Sequence, residues 1–512
     1  MTGYRKLSLI VLAVFVSITA FSQAKPFKLR IKIDGIQDTV VFLANHYGNK
    51  QYIKDTIPVD AKGWVNYDSD ERPEQGVYIL ASQDKKQYFE FLITDEALIT
   101  METSMADLLN RMKIKGSPEN QAWFDYLKYI SVKEKEARPM RDLLTAADAN
   151  HNEDSVKMIR EKMLDIDKEV TQYKKDFYTK NPKTLVAKIF MAMEEINAPD
   201  DPEKEKADSS YKYRYYKDHY WDNIDWSDER IIRSPVFHKK LEFYFDKLIA
   251  KSPDSINAAA DLVVKMARAN PEMFKYTVFY LTTTYERSKI MGMDAVFVHM
   301  VEKYYTEDQA FWLDSAQLFR IRDRANTLGP LILGKIAPEL LMIDTIGLNI
   351  MDSLGILGIS NSEEATKKYM EHLQIINSIS ISLLQIKAKY TVLLFWDPDC
   401  GHCKKVVPAM RDEYHKLLDQ KWDVKVFAVD TQNEYDEWKK FILKYNLDWI
   451  NVTDPYHRND VHSRYDIFST PVIYLLNERK EIIAKRLGPE QIEEFLIKYE
   501  EIEARKIKDG IK

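Results

Sequence analysis

The sequence predicts a multidomain chain with an N-terminal antiparallel β domain, a central all-α domain and a C-terminal α/β domain. Three observations predict it. Apolar residues recur with period two up to about Lys115, helical spacing holds from Gly116 to about Leu328, and strands alternate with helices from Gly334 onward. At 512 residues the chain is too long for one compact core, since domains run to roughly 100 to 200 residues. With 45% hydrophobic and 30% charged residues, each part can bury a core of its own.

Residues 1–22 are read as a cleaved signal peptide. Arg5 and Lys6 precede an apolar run from Leu7 to Phe21, and Ala20 and Ser22 are the small residues before a cut at Gln23. The run is shorter than the ~20 residues needed to span a bilayer, and no cysteine follows it to carry a lipid. The mature protein is therefore expected to be periplasmic or otherwise exported and not membrane-spanning. With 74 Lys and Arg against 80 Asp and Glu and no long basic block, the charge needed to hold a phosphate backbone is missing. Nucleic acid is not an expected partner.

Residues 23–115 are assigned to the β domain. Phe27, Leu29, Ile31 and Ile33 alternate with Lys28, Arg30 and Lys32, the pattern of a strand with one wet face. Further short strands are read at 40–44, 64–67, 77–81, 88–93 and 98–102, separated by turns holding Gly35, Gly48, Gly63 and Gly76. Residues 116–334 are assigned to the helical domain, interrupted at Pro182, Pro199, Pro202, Pro235, Pro253 and Pro271. Ser252-Pro253 and Asn270-Pro271 each place a capping residue before a first-turn proline. The aromatic run from Tyr211 to Trp221 has the spacing of helix-to-helix packing, with Tyr211, Tyr215 and Tyr216 in the core.

Residues 335–512 form the α/β domain. Strands are read at 390–396, 424–430, 449–452, 472–477 and 481–486, and helices at 404–418, 434–445, 458–465 and 489–507. Asp454, His457 and His462 are read as polar residues of loops and helix starts, not as ligands.

The chain has two cysteines, Cys400 and Cys403, three positions apart. An exported protein stapled by disulfides carries several dispersed cysteines, and a loop this short constrains little chain entropy, so the pair is chemical and not structural. One Cys-x-x-Cys with His402 lacks the further ligands that zinc needs, so no metal is expected. The cysteines follow an apolar strand and open a helix, where unpaired N–H groups and the helix dipole stabilise a thiolate. A protonated His402 adds a cation beside Cys400. Cys403, one turn further in, is placed to resolve a mixed disulfide from behind.

Phe395-Trp396 with Cys400-Gly401-His402-Cys403, and Thr470-Pro471 opening a later strand, resemble the thioredoxin superfamily, in particular its exported TlpA-like and ResA-like thiol-disulfide oxidoreductases. The resemblance covers about residues 335–512 and implies a thioredoxin fold. It implies that Pro471 is the cis-proline beside the disulfide, and that Thr470, with Trp396 and Gly401, meets an extended substrate peptide. It implies no cofactor beyond the redox-active disulfide, with exported thiol or disulfide proteins and an envelope redox partner as its company. The longer interval between Cys400 and Pro471 fits the extra strand and helix of the TlpA-like group. The two preceding regions resemble the appended domains of unknown function found before such domains.

Two departures stand out. The buried acid that thioredoxins place six residues before the first cysteine is Leu394 here, which leaves Asp397, Asp399, a lysine or water to move the Cys403 proton. The segment 360–385 is longer than expected and is read as an added helix. A peroxiredoxin would need a proline and a hydroxyl residue ahead of Cys400, where an aliphatic residue and Asp397 stand instead. A non-enzymatic alternative keeps the thioredoxin fold as scaffold for a ligand- or partner-binding envelope protein.

Overall fold

The computed structural model describes residues 26–84, 86–149, 152–359, 361–432 and 434–509, so the signal-peptide reading lies outside the described residues. The chain divides into two compact units, one ending at Leu248 and the other beginning at Ile249. The helical stretch 116–334 therefore spans the division.

The first unit opens with strands β1 (Phe27–Asp34), β2 (Val40–Tyr47), β3 (Lys50–Pro58), β4 (Trp64–Ser69), β5 (Gly76–Ala81), β6 (Gln87–Ile93), β7 (Leu98–Ser104) and β8 (Lys113–Lys115). They form two sheets, in the orders β4-β1-β7-β8 and β3-β2-β5-β6. The alternation along β1 has a direct cause: Phe27, Leu29, Ile31 and Ile33 are wholly buried, and they share one core with Leu43, Tyr78 and Phe91 of the other sheet. Neighbouring strands run antiparallel, except that β1 and β7 are parallel. Strands β3 and β8 are not among those expected from the residue pattern. The first is an edge strand exposed along most of its length, and the second is only three residues long, so neither shows a buried face.

Helices α1 (Pro118–Ala149), α2 (Glu153–Lys180), α3 (Leu185–Ala192), α4 (Pro202–Ala207), α5 (Tyr211–His219) and α6 (Pro235–Phe243) complete this unit. No side chain of α5 is buried, which corrects the packing expected of Tyr211, Tyr215 and Tyr216. The buried aromatics are Tyr220 and Trp221 just beyond the helix, both against Tyr244.

The second unit begins with α7 (Pro253–Ala267), α8 (Pro271–Glu286), α9 (Asp294–Tyr304) and α10 (Ser315–Leu328). Ser252 and Asn270 cap α7 and α8 as the sequence predicts: the Ser252 hydroxyl accepts from the Ser255 N–H, and the Asn270 side chain accepts from the Glu272 and Met273 N–H groups. There follow β9 (Leu341–Asp344), α11 (Thr345–Ser353), α12 (Ser362–Glu371), α13 (Leu373–Ile379), β10 (Ser380–Ser382), β11 (Tyr390–Trp396), α14 (Cys403–Asp419), β12 (Val424–Asp430), α15 (Tyr435–Tyr445), β13 (Ile450–Thr453), α16 (Val461–Arg464), β14 (Val472–Leu476), β15 (Ile482–Lys485) and α17 (Ile492–Lys508). The long segment before the central strand thus holds α12 and α13.

These strands form one sheet, ordered β10-β9-β13-β12-β11-β14-β15, with β11, β12 and β13 parallel and β14 antiparallel to β11. Both faces are covered, which is why β11 is apolar without a break from Val392 to Trp396: Val392, Leu394 and Trp396 enter one core, Leu393 and Phe395 the other. This is the thioredoxin arrangement, and it puts the end of β11 beside the start of β14.

Candidate active site

The site grows from the turn between β11 and α14. An Asp397 carboxylate oxygen accepts from the Asp399 N–H at 2.7 Å and the Asp397 carbonyl accepts from the Cys400 N–H at 3.3 Å, which folds the chain back before the helix. The helix itself starts at Cys403, with His402 as its N-cap, so Cys400 stands in the turn and not in the first helical turn. The Cys403 N–H, among the first of the helix, donates to the Cys400 sulfur at 3.4 Å. A helix N-terminus thus points at Cys400 from just outside it.

The Thr470–Pro471 peptide is cis and opens β14. The Cys400 thiol donates to the Thr470 carbonyl at 3.3 Å, which joins the two halves of the motif across 70 positions of sequence. Both cysteines are free thiols, Cys400 partly exposed and Cys403 wholly buried.

Their acidities are driven apart. Burial pushes the Cys400 thiol up, but hydrogen bonds outweigh it, first from the Cys403 backbone and then from Thr470, the Cys403 thiol and the His402 backbone, and its pKa falls below the ordinary thiol value. Burial dominates at Cys403 and pushes it up to about 12, against smaller lowering contributions from the Thr470 side chain and the Asp397 backbone. Cys400 is the thiol that ionises first, and Cys403 waits behind it in the protonated form.

The other expected residues divide. The His402 side chain is exposed, and the influence on Cys400 that the geometry resolves comes through its backbone. Gly401 is exposed, with open space where a side chain would begin. Trp396 does not reach any groove: it is wholly buried, packed on Phe441 at 4.9 Å, because the last residue of β11 points into the core beneath the helices. Leu394 is also wholly buried and lies in the same core as Cys403, so the position that holds an acid in thioredoxins holds a hydrocarbon here. The Asp454 carboxylate accepts from the Arg458 and Asn459 N–H groups at 2.9 and 2.7 Å, which is the loop-building role read for it.

Sequence reasoning missed the groups that hold the loop before Pro471. Asp466 has a positive φ of 56° and a side chain only 2% exposed, and it pairs with Arg324 of α10 and Arg486. Arg324 approaches with both terminal nitrogens, although it lies 142 positions away. An ion pair between residues so distant leaves no local pattern. His462 stands beneath the same loop, its ring nitrogens 3.0 and 3.3 Å from the carbonyls of Ile467 and Thr431.

Three families match along the chain: a domain of unknown function, DUF4369, over residues 27–123; a second, DUF5106, over residues 166–329; and the AhpC/TSA family over residues 365–485. Among similar proteins, the thiol-disulfide oxidoreductase ResA of Halalkalibacterium halodurans is 28% identical over 26% of this chain and 74% of its own. The sporulation thiol-disulfide oxidoreductase A of Bacillus subtilis is 30% identical over 21% of this chain and 67% of its own. Among solved structures, a domain of a possible thiol-disulfide isomerase from Cytophaga hutchinsonii is 34% identical, covering 35% of this chain and 99% of that one, with a TM-score of 0.27. A thioredoxin-like protein from Bacteroides caccae is 18% identical, covering 56% and 92%, with a TM-score of 0.40.

Proposed function

The chain belongs to the thioredoxin-like thiol-disulfide oxidoreductases, with two appended domains of unknown function ahead of its catalytic domain, and from that premise we propose that it exchanges the Cys400–Cys403 dithiol and disulfide with exported proteins. The observation that carries this is the asymmetry of the pair: an acidified, accessible Cys400 facing the Thr470 carbonyl, and a buried Cys403 of pKa about 12 behind it.

The Cys400 thiolate attacks one sulfur of a substrate disulfide. A new S–S bond forms, the substrate S–S bond breaks, and the other substrate sulfur leaves as a thiolate and takes up a proton. Cys403 then loses its proton and attacks the Cys400 sulfur, which releases the second substrate thiolate. Two electrons have passed from the dithiol to the substrate; the reverse sequence oxidises a substrate dithiol. The reaction needs no cofactor beyond this disulfide, and an envelope redox partner resets it. Residues 7–21 supply the apolar run that would direct export.

Insulin reduction driven by dithiothreitol tests the activity. The full chain is expected to accelerate it and Cys400→Ser to abolish the acceleration; equal rates for the two would refute the assignment.

A further inference from the structure

Phe468 is 84% exposed, in the loop leading to the cis-proline. A lone exposed phenylalanine is ordinary. The place of this one is not: it stands two residues before Thr470, whose carbonyl lies 3.3 Å from the Cys400 sulfur. One side of its ring is occupied by the Arg324 guanidinium, whose carbon is 5.3 Å from the ring centroid.

Arg324 is doubly committed. It pairs through both terminal nitrogens with Asp466, which is buried at the base of the same loop, so its charge is matched before any substrate arrives. Arg324 belongs to α10, inside the DUF5106 match and outside the AhpC/TSA match. A second tie holds these helices to the edge of the same sheet: Lys485 of β15, the neighbour of β14, pairs with Asp294 of α9 and donates to the Leu331 carbonyl at 2.8 Å.

We propose that Phe468 is a specificity-determining contact for an apolar side chain flanking the reacting cysteine of an extended polypeptide substrate, and that Arg324 is the positioning residue that holds it there. This rests on the exchange reaction proposed above. An extended segment lying along the Thr470 backbone carries its neighbouring side chains to either side of its cysteine, and the ring face left open offers them hydrocarbon. Because Asp466 already pairs with the guanidinium, a flanking acidic or basic residue gains no ion pair there, whereas an apolar side chain gains hydrocarbon contact. The appended helices thereby select which disulfides reach Cys400.

The test uses the full chain and two synthetic peptides whose single cysteine is blocked as a mixed disulfide with glutathione, one with leucine beside the cysteine and one with lysine. The wild-type chain is expected to release glutathione from the leucine peptide with a kcat/KM about tenfold higher than from the lysine peptide. Phe468→Ser should bring that ratio close to one, Phe468→Leu should restore most of it, and Arg324→Ala should lower it. Because each readout is a ratio on one protein, a loss of folded material does not mimic the effect. No preference in the wild-type chain, or a preference that survives Phe468→Ser, would overturn the inference while leaving the exchange reaction standing. Failure of the wild-type chain to react with either peptide would overturn the exchange reading and this inference with it.

Discussion

Cys400 and Cys403 are the same chemical group three residues apart, and their surroundings give them different work. The first accepts the Cys403 N–H at the mouth of α14, and the second is sealed in a core with Leu394 and Val407. Brief alkylation of the reduced protein with iodoacetamide near pH 7 should therefore modify Cys400 and spare Cys403, as read by peptide mass; equal modification would contradict the assigned roles. The exposed His402 ring should matter modestly, because its backbone N–H survives substitution. His402→Ala is expected to raise the pH midpoint of Cys400 alkylation by less than about one unit. The raised pKa of Cys403 also has a sign in stability. Its folded value of about 12 exceeds the unfolded thiol value, so its contribution is whole below about pH 8.5 and is lost as pH rises toward 12. In that window the unfolding free energy of the reduced wild-type protein should fall more steeply with pH than that of Cys403→Ser, by up to about 1.4 kcal/mol per pH unit. Parallel denaturation curves for the two proteins would show that burial does not hold the Cys403 proton.

The elements most legible in the sequence are those whose burial pattern is local. β11 is legible to the residue because both its faces are covered, which leaves an apolar run from Val392 to Trp396 with Thr391 as the one polar residue of the strand. The starts of α7 and α8 were legible because a cap and a first-turn proline lie side by side in the chain. Asn270→Ala removes the acceptor for two helix N–H groups and should cost about 1 kcal/mol in denaturant unfolding while leaving disulfide exchange unaltered. A change in exchange rate would mean that α8 influences the site. What stayed hidden is what depends on a partner distant in sequence. An edge strand such as β3 acquires its identity from β2 and not from its own pattern. The burial of Trp396 follows from the direction of the last side chain of β11, which a strand's composition does not state. The Asp466–Arg324 pair could not be read from either neighbourhood.

At the scale of the whole molecule, the chain joins a sandwich of two sheets and a set of helices to a redox domain, and the second compact unit includes both α7–α10 and the thioredoxin sheet. The cysteine motif, the proline and the order of strands and helices made that redox domain readable, while the grouping of α7–α10 with it depends on contacts such as those of Lys485 and Arg324 that no motif records. In the proposed exchange, Cys400 forms the mixed disulfide with exported proteins and Cys403 breaks it. Trapping separates the two steps: cells expressing the full chain, with Cys403→Ser or Cys400→Ser, are acid-quenched, and envelope extracts are run on non-reducing gels with mass identification of the adducts. Cys403→Ser is expected to accumulate dithiothreitol-sensitive adducts with exported proteins and Cys400→Ser none, whereas the same adducts in both variants, or none in either, would contradict these roles of the two cysteines.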